Sequence, residues 1–207
     1  MQLVEGIRRN EYHPTTGFWS STELLLALSG HGDHSEASRM VNMNTVPSWG
    51  FMAENGTTFW ESFDADIKNR SLCHWTHSGV GEWLWRNVAG LNPDQEDPGY
   101  KSMTIRPRPT KEVSSCRARY LSVRGAIEIE WALRGREFRL DIAVPVGTKA
   151  KVFFPVGDQD SVREGSTHAT KASGVKFLSM SGNAPVFEVE SGRYHFTMNY
   201  EGSTEKE

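Results

Sequence analysis

"GAIEIEWALRGREFRLDIAV", residues 125–144, decides the architecture of half of this chain. Ile127, Ile129, Trp131 and Leu133 alternate with Glu128 and Glu130, and Phe138, Leu140, Ile142 and Val144 repeat the alternation. A period of two belongs to a strand with one face buried and one wet. The two runs meet around Arg134-Gly135, which reads as a hairpin turn. Similar short runs follow at 150–155, 175–180, 184–190 and 193–200. Short alternating strands at that spacing predict an antiparallel β-sandwich.

Upstream the period changes to that of helices. "STELLLALSGHG" (21–32) sets Leu24, Leu25 and Leu28 on one face, with Gly30 as a stop. "DHSEASRMVNMNTV" (33–46) opens with Asp33 and places Glu36 three residues on, a capping-box pattern, and Pro47 cannot continue it. "TTFWESFDADI" (57–67) and "SGVGEWLWRNVAG" (78–90) complete the helical reading. Thr57 or Thr58 caps the first, and Ser78 and Gly90 bound the second. Residues 2–10 read as the end of another helix. Between the two regimes lies "LNPDQEDPGYK", acidic and carrying Pro93 and Pro98. The expected organisation is therefore α+β in two domains. Helices occupy 1–90, a linker 91–102, a sandwich 103–200 and a disordered tail 201–207.

Composition narrows the chemistry. The chain has 207 residues, a formal net charge of −3 and seven Trp. A weakly acidic balance offers no electrostatic footprint for nucleic acid. No apolar run reaches the roughly 18 residues of a membrane span. Two cysteines, Cys73 and Cys116, fall in different predicted domains and read as free thiols. "NGTTFWESFDADIKNRSLCHW" (55–75) interleaves Glu61, Asp64, Asp66 and His74 with Phe59, Trp60, Phe63 and Trp75. Acids among aromatic faces suit a sugar, whose ring has apolar C–H faces and a polar rim. The "HGDH" run (His31, Asp33, His34) lacks a fourth ligand and reads as a helix–helix turn rather than a metal site. His74 and His77, three residues apart, read as stacking or packing groups. No phosphate loop and no Ser or Cys nucleophile triad occurs, and no cofactor is implied.

The order of several blocks resembles the C-terminal part of the α-L-rhamnosidases of glycoside hydrolase family 78. "HPTTGFWSSTELLLALSGHG" (13–32) is followed by "PSWGFMAENGTTFWES" (47–62), "SLCHWTHSGVGEWLWR" (71–86) and "AGLNPDQEDPGYKSMTIRPRP" (89–109). Their spacing is similar to the family's from about residue 2 to 155. The resemblance implies helices from the end of an (α/α)6 catalytic barrel, followed by a β-sandwich. It implies an enzyme that hydrolyses terminal α-L-rhamnosyl bonds of a rhamnose-containing glycoside with inversion. Ninety residues cannot supply the barrel's twelve helices, so the general acid is expected elsewhere in the parent protein and this chain alone is expected to be inactive. The "WE" pair implies that Glu61 is the general base; by itself such an acid also reads as a solvated helix residue. The histidine of the family's "SLNH" segment matches His74, which implies a sugar contact. Cys73 stands where the family has Asn, and the stretch from Glu61 to His74 is shorter. Trp60 and Trp49 read either as stacking surfaces for a sugar or as filling of the barrel wall, and Glu54 as a substrate contact or a structural hydrogen-bonding group. A non-catalytic sugar-binding or structural sandwich is the alternative. Helices cut from a barrel would bare Leu24, Leu25, Leu28, Val80, Trp83 and Leu84, so self-association through them is expected.

Overall fold

The computed structural model describes residues 2–63 and 70–202. Asp64 and Asp66, the second half of the helix expected over 57–67, and residues 203–207 of the expected tail lie outside them. The chain divides into two compact units, Met1–Leu84 with Thr110–Glu112, and Trp85–Pro109 with Val113–Glu207.

The first unit is helical. It contains α1 (Gln2–Arg9), α2 (Phe18–Gly30), α3 (His34–Asn42) and α4 (Trp49–Asn55). A last helical stretch starts with a 3-10 turn at Thr76–Gly79 and becomes α5 (Val80–Trp83); the π turn that follows in the chain, Leu84–Ala89, belongs from Trp85 on to the second unit. Packing decides these elements more than local signals do. Asp33 precedes α3, but its side chain makes no cap bond. Glu36 is drawn away to α1, where Arg8 Nε donates to Glu36 Oε1 at 2.8 Å. The capping box therefore does not form, and α3 ends at Asn42 instead of reaching 46. At α4 a true cap does form: Ser48 Oγ accepts from Phe51 N at 3.0 Å. Ser78 lies inside the last helical stretch, not at its start.

Trp83 is the centre of this unit. It is fully buried, donates Nε1–H to Ser29 Oγ at 2.7 Å, and stacks on His34 at 5.3 Å. His34 Nδ1 pairs with the same Ser29 hydroxyl at 2.9 Å, so the "HGDH" turn faces the core through His34. Leu24, Leu25, Leu28, Val80 and Trp83, expected to be bared, are instead buried; only Leu84 of that set is exposed. These helices cover one another, which removes the reason given for self-association.

The second unit carries β1 (Leu91–Pro93), β2 (Ser102–Ile105), β3 (Ser115–Ser122), β4 (Gly125–Arg134), β5 (Glu137–Val144) and β6 (Lys149–Phe153). β7 (Arg163–Glu164), β8 (Thr167–His168), β9 (Val175–Ser181), β10 (Ala184–Val189) and β11 (Gly192–Asn199) follow. One sheet has the order β1-β2-β6-β10-β9 and the other β3-β4-β5-β11-β7-β8. All neighbours are antiparallel except β2 and β6, which run parallel. The stretch read as a linker thus begins with a strand, and Ser102 at its end opens the next.

The hairpin of 125–144 forms as its alternation requires. Ile129 pairs with Ile142 and Trp131 with Leu140, all buried. Gly135 takes φ +60 at the first central turn position, where a primed turn needs glycine. Phe154 joins the two sheets, meeting Phe187 edge-on at 5.6 Å and Phe196 at 5.3 Å. The opposite faces of β3, β4, β5 and β11 carry exposed pairs such as Arg117–Glu130 and Arg193–Glu128. Such pairs contribute little to stability and keep the face wet. Gly90 ends the π turn with φ +83, and a Cβ there would meet Arg106 C at 2.3 Å.

Candidate functional site

The site is built on two irregular segments, not on a helix. Residues 57–63 are non-helical. Their backbone pairs instead with 71–74: Glu61 N donates to Ser71 O at 2.9 Å, and His74 N donates to Phe59 O at 2.7 Å. Thr58 Oγ1 also donates to the Leu72 carbonyl. This clasp brings Glu61 and His74, thirteen positions apart (74 − 61), into one place. Ser71 closes it a second time, because its N–H donates to Glu61 Oε2 at 2.9 Å. Oε1 has no partner among the described residues. The result is a partly exposed carboxylate with one oxygen fixed and the other available to a proton.

His74 is oriented by its Nδ1, 2.8 Å from Thr76 Oγ1. Its ring lies nearly parallel to Trp75, at 18° and 6.0 Å.

Behind the clasp is a packed aromatic layer. His77 is completely buried, and its Nδ1 lies 2.8 Å from Trp60 O. A carbonyl only accepts, so Nδ1 carries the proton and Nε2 is the bare nitrogen. Nε2 is buried without a partner among the described residues. Burial pushes the His77 pKa down, against the Trp60 bond, which raises it; nearby His74 lowers it further. The ring stays neutral and holds the backbone immediately before Glu61. Phe63 lies 3.9 Å from the His77 ring and 4.8 Å from Trp49. Trp49 donates Nε1–H to His77 O at 3.0 Å. Trp60 meets Phe51 edge-on, and a Cβ at Gly56 would come within 2.7 Å of its Nε1.

The structure therefore pairs the backbone segments that carry Glu61 and His74 and packs Trp60 and Trp49 into the aromatic layer. Trp49 and Trp60 are 3% and 7% exposed, so neither ring offers a free face in this chain. Glu54 lies on α4, exposed, with no hydrogen bond or ion pair among the described residues. Ser71 and the exposed ring of Trp19 escaped the sequence reading, which named His77 only as a stacking or packing group and Trp75 only among the aromatics of 55–75. The only advance signal was that His77 and Trp75 flank Thr76 in the same short stretch as His74. Among the described residues no cluster of three metal-ligating side chains occurs.

Residues 1–88 match the bacterial α-L-rhamnosidase 6 hairpin glycosidase domain, and residues 90–169 the bacterial α-L-rhamnosidase C-terminal domain. An α-L-rhamnosidase of Streptomyces avermitilis is 35% identical over 206 residues, which is 95% of this chain and 19% of that protein. One from Formosa agariphila is 26% identical over 96% of this chain and 22% of its own length. The crystal structure of the Streptomyces avermitilis enzyme complexed with L-rhamnose matches with a TM-score of 0.84 at 33% identity, covering 95% of this chain and 19% of that one. The α-L-rhamnosidase structure from Dictyoglumus thermophilum matches with a TM-score of 0.82 at 29% identity, covering 93% and 22%. The chain thus spans about a fifth of the length of these relatives.

Proposed function

Because this chain belongs to the bacterial α-L-rhamnosidase family, we propose that it supplies the general-base wall of an enzyme hydrolysing terminal α-L-rhamnosyl bonds with inversion. The observation that carries the reading is the clasp. It holds Glu61 with Oε2 tied to Ser71 N–H and Oε1 without a partner among the described residues, and the paired segment carries a histidine oriented by Thr76. In this reading Oε1 takes a proton from water as the oxygen attacks the anomeric carbon. A carboxylic acid on the opposite face of the sugar protonates the leaving oxygen. The two carboxyl groups would stand about 6.5–9.5 Å apart to admit the water. That acid is contributed by chain beyond these residues. His74 donates to or accepts from a rhamnose hydroxyl. His77 and Trp60 act beneath the base, holding its backbone.

The test uses a full-length enzyme containing this sequence. Glu61→Gln should lower kcat by at least about 100-fold, the lower end for a positioned acid or base. KM should change little, because water activation acts in the transition state. NMR of the first-formed product should show the anomer opposite to the substrate's. Retained configuration, or wild-type kcat in Glu61→Gln with loss in Glu54→Gln, would overturn the assignment.

A further inference from the structure

Two tryptophans of the helical unit are far more exposed than the rest. Trp19 is 68% and Trp75 63% exposed, whereas Trp49, Trp60 and Trp83 are at most 7%. The two rings form a corner, with centroids 5.2 Å apart and planes at 71°. The corner is one end of a groove of about 360 Å³. Its remaining walls are Thr22, Thr76, Ser78 and Glu82. That is within the range of small-molecule sites, which combine apolar walls with a few polar groups. Three hydroxyl groups and a carboxylate line it, and among the described residues no lysine or arginine does. Such a rim suits an uncharged polyol and disfavours an anion.

The corner is held by construction. Trp19 sits on α2, and Trp75 leads into the 3-10 turn at Thr76–Gly79. At Gly79 a Cβ would come within 2.1 Å of Thr22 Oγ1, so the two elements meet at their closest approach there. A glycine is what lets them do so. The groove also adjoins His74. Trp75 stacks alongside His74, and Thr76 both lines the groove and binds His74 Nδ1.

We propose that the Trp19–Trp75 corner is a leaving-group subsite for an uncharged pyranose ring, whose apolar face lies on an indole while its hydroxyls reach Ser78 and Glu82. This rests on the rhamnosidase reading, since it places the subsite next to the sugar-contacting His74. Aromatic faces favour flat apolar partners over solvent, and an edge-to-face pair gives such a ring two walls at once. The occupant is thus the ring after rhamnose in a natural glycoside.

Two arms separate this proposal from the reading beneath it. In the first, saturation-transfer NMR follows methyl β-D-glucopyranoside, which contains no rhamnose, with the 207-residue chain. Saturable transfer concentrated on one face of the ring is expected. It should weaken about five- to tenfold in Trp75→Ala or Trp19→Ala. It should persist in Glu61→Gln, and light scattering should show that none of these variants changes the mass. In the second arm, a full-length enzyme is assayed on a rhamnosyl-glucoside and on α-L-rhamnosyl fluoride. Trp75→Ala should cut kcat/KM about five- to tenfold on the first and leave the second within about twofold. p-Nitrophenyl α-L-rhamnoside, assayed beside them, reports whether an aryl ring shares the corner.

Absence of saturable transfer in the wild-type chain would overturn the subsite. So would equal loss on both substrates in Trp75→Ala, which would mean the ring acts only through His74. A dimer that Trp75→Ala disperses would assign the corner to a second copy of the chain. If Trp19 and Trp75 in the full-length enzyme resist acrylamide quenching and their variants change nothing, further chain covers the corner, and the subsite is again refuted. If the first arm succeeds while the wild-type enzyme hydrolyses no rhamnoside, the corner still binds a ring and the rhamnosidase reading falls.

Discussion

His77 gives the helical unit a pH dependence that can be read in isolation. Its ring is fully buried, Nδ1–H donates to Trp60 O, and Nε2 has no partner among the described residues. Consider His77→Phe. The phenyl ring keeps the aromatic contact with Phe63 and removes the orphaned Nε2, but it strands the Trp60 carbonyl. Leaving a buried acceptor unmet costs about 1–3 kcal/mol, and removing an unmet buried nitrogen returns part of that. A net loss of about 1 kcal/mol is expected near neutral pH. The pH term runs the other way. Burial holds the folded histidine below its ordinary value of 6.5. As pH falls through the ordinary value, the unfolded chain binds a proton that the folded chain does not. Stability is therefore complete above that value and is lost as pH drops towards the lowered folded pKa. The loss is at most about 1.4 kcal/mol for each pH unit. The phenylalanine variant has no such proton to bind, and titrating groups that do not interact with His77 cancel in the comparison. By about pH 5.5 the difference between wild type and variant should shrink to near zero or change sign. Urea unfolding followed by circular dichroism at 222 nm weights the helices and measures it. Parallel stability curves for the two proteins from about pH 7.5 to 5.5 would refute the reasoning, because His77 would then titrate alike folded and unfolded.

Other substitutions test the frame. Gly90→Ala puts a Cβ 2.3 Å from the Arg106 carbonyl carbon at φ +83. It should cost at least about 2 kcal/mol and lower the melting temperature of the β unit by several degrees. Trp131→Phe removes the Nε1–H bond to Val88 O, at 2.9 Å from a ring only 1% exposed. A loss of about 1–3 kcal/mol in urea unfolding is expected, and no loss would mean water replaces the donor. The 207-residue chain alone should release no detectable p-nitrophenol from p-nitrophenyl α-L-rhamnoside, since the proposal assigns the acid opposite the base to further chain. Turnover above about 1 s⁻¹ would place the acid within this chain.

Legibility in the sequence followed how local the determining interaction is. The strands of 125–144 were legible because large apolar residues alternate without interruption, and each inward position meets another across the hairpin. β3 has the same alternation, but its inward positions begin with Cys116 and Ala118, too small to stand out. β1 is three residues long beside Pro93 and exists only because Leu91 pairs with Ile105. The parallel pairing of β2 with β6 depends on residues more than forty positions apart, as Ser102 and Lys149 show. α3 displayed a capping box in sequence, yet Glu36 found Arg8 on another helix. A local pattern loses wherever a distant partner supplies a better hydrogen bond.

The candidate site follows the same rule more sharply. Phe59, Trp60 and Phe63 have helical spacing, and Glu61 sits among them as on a helix face. The backbone donors and acceptors of that segment are instead taken by Ser71 and His74. Residue types alone left Glu61 readable as a solvated helix acid, and the roles proposed for it and for His74 came from the order and spacing of whole motifs. They could not identify which tryptophans face solvent. Trp49 and Trp60 adjoin the acid in the quoted motifs, so they drew both a stacking and a wall-filling reading, and their neighbours in space, Phe51, Phe63 and His77, close over them. Trp19 and Trp75 lie in segments that flank the acid's motif on either side, and only the contact of α2 with the Thr76–Gly79 turn makes them neighbours. An indole next to the acid in sequence thus ends up as its foundation, and two indoles from opposite sides of it form the surface that a ring could touch.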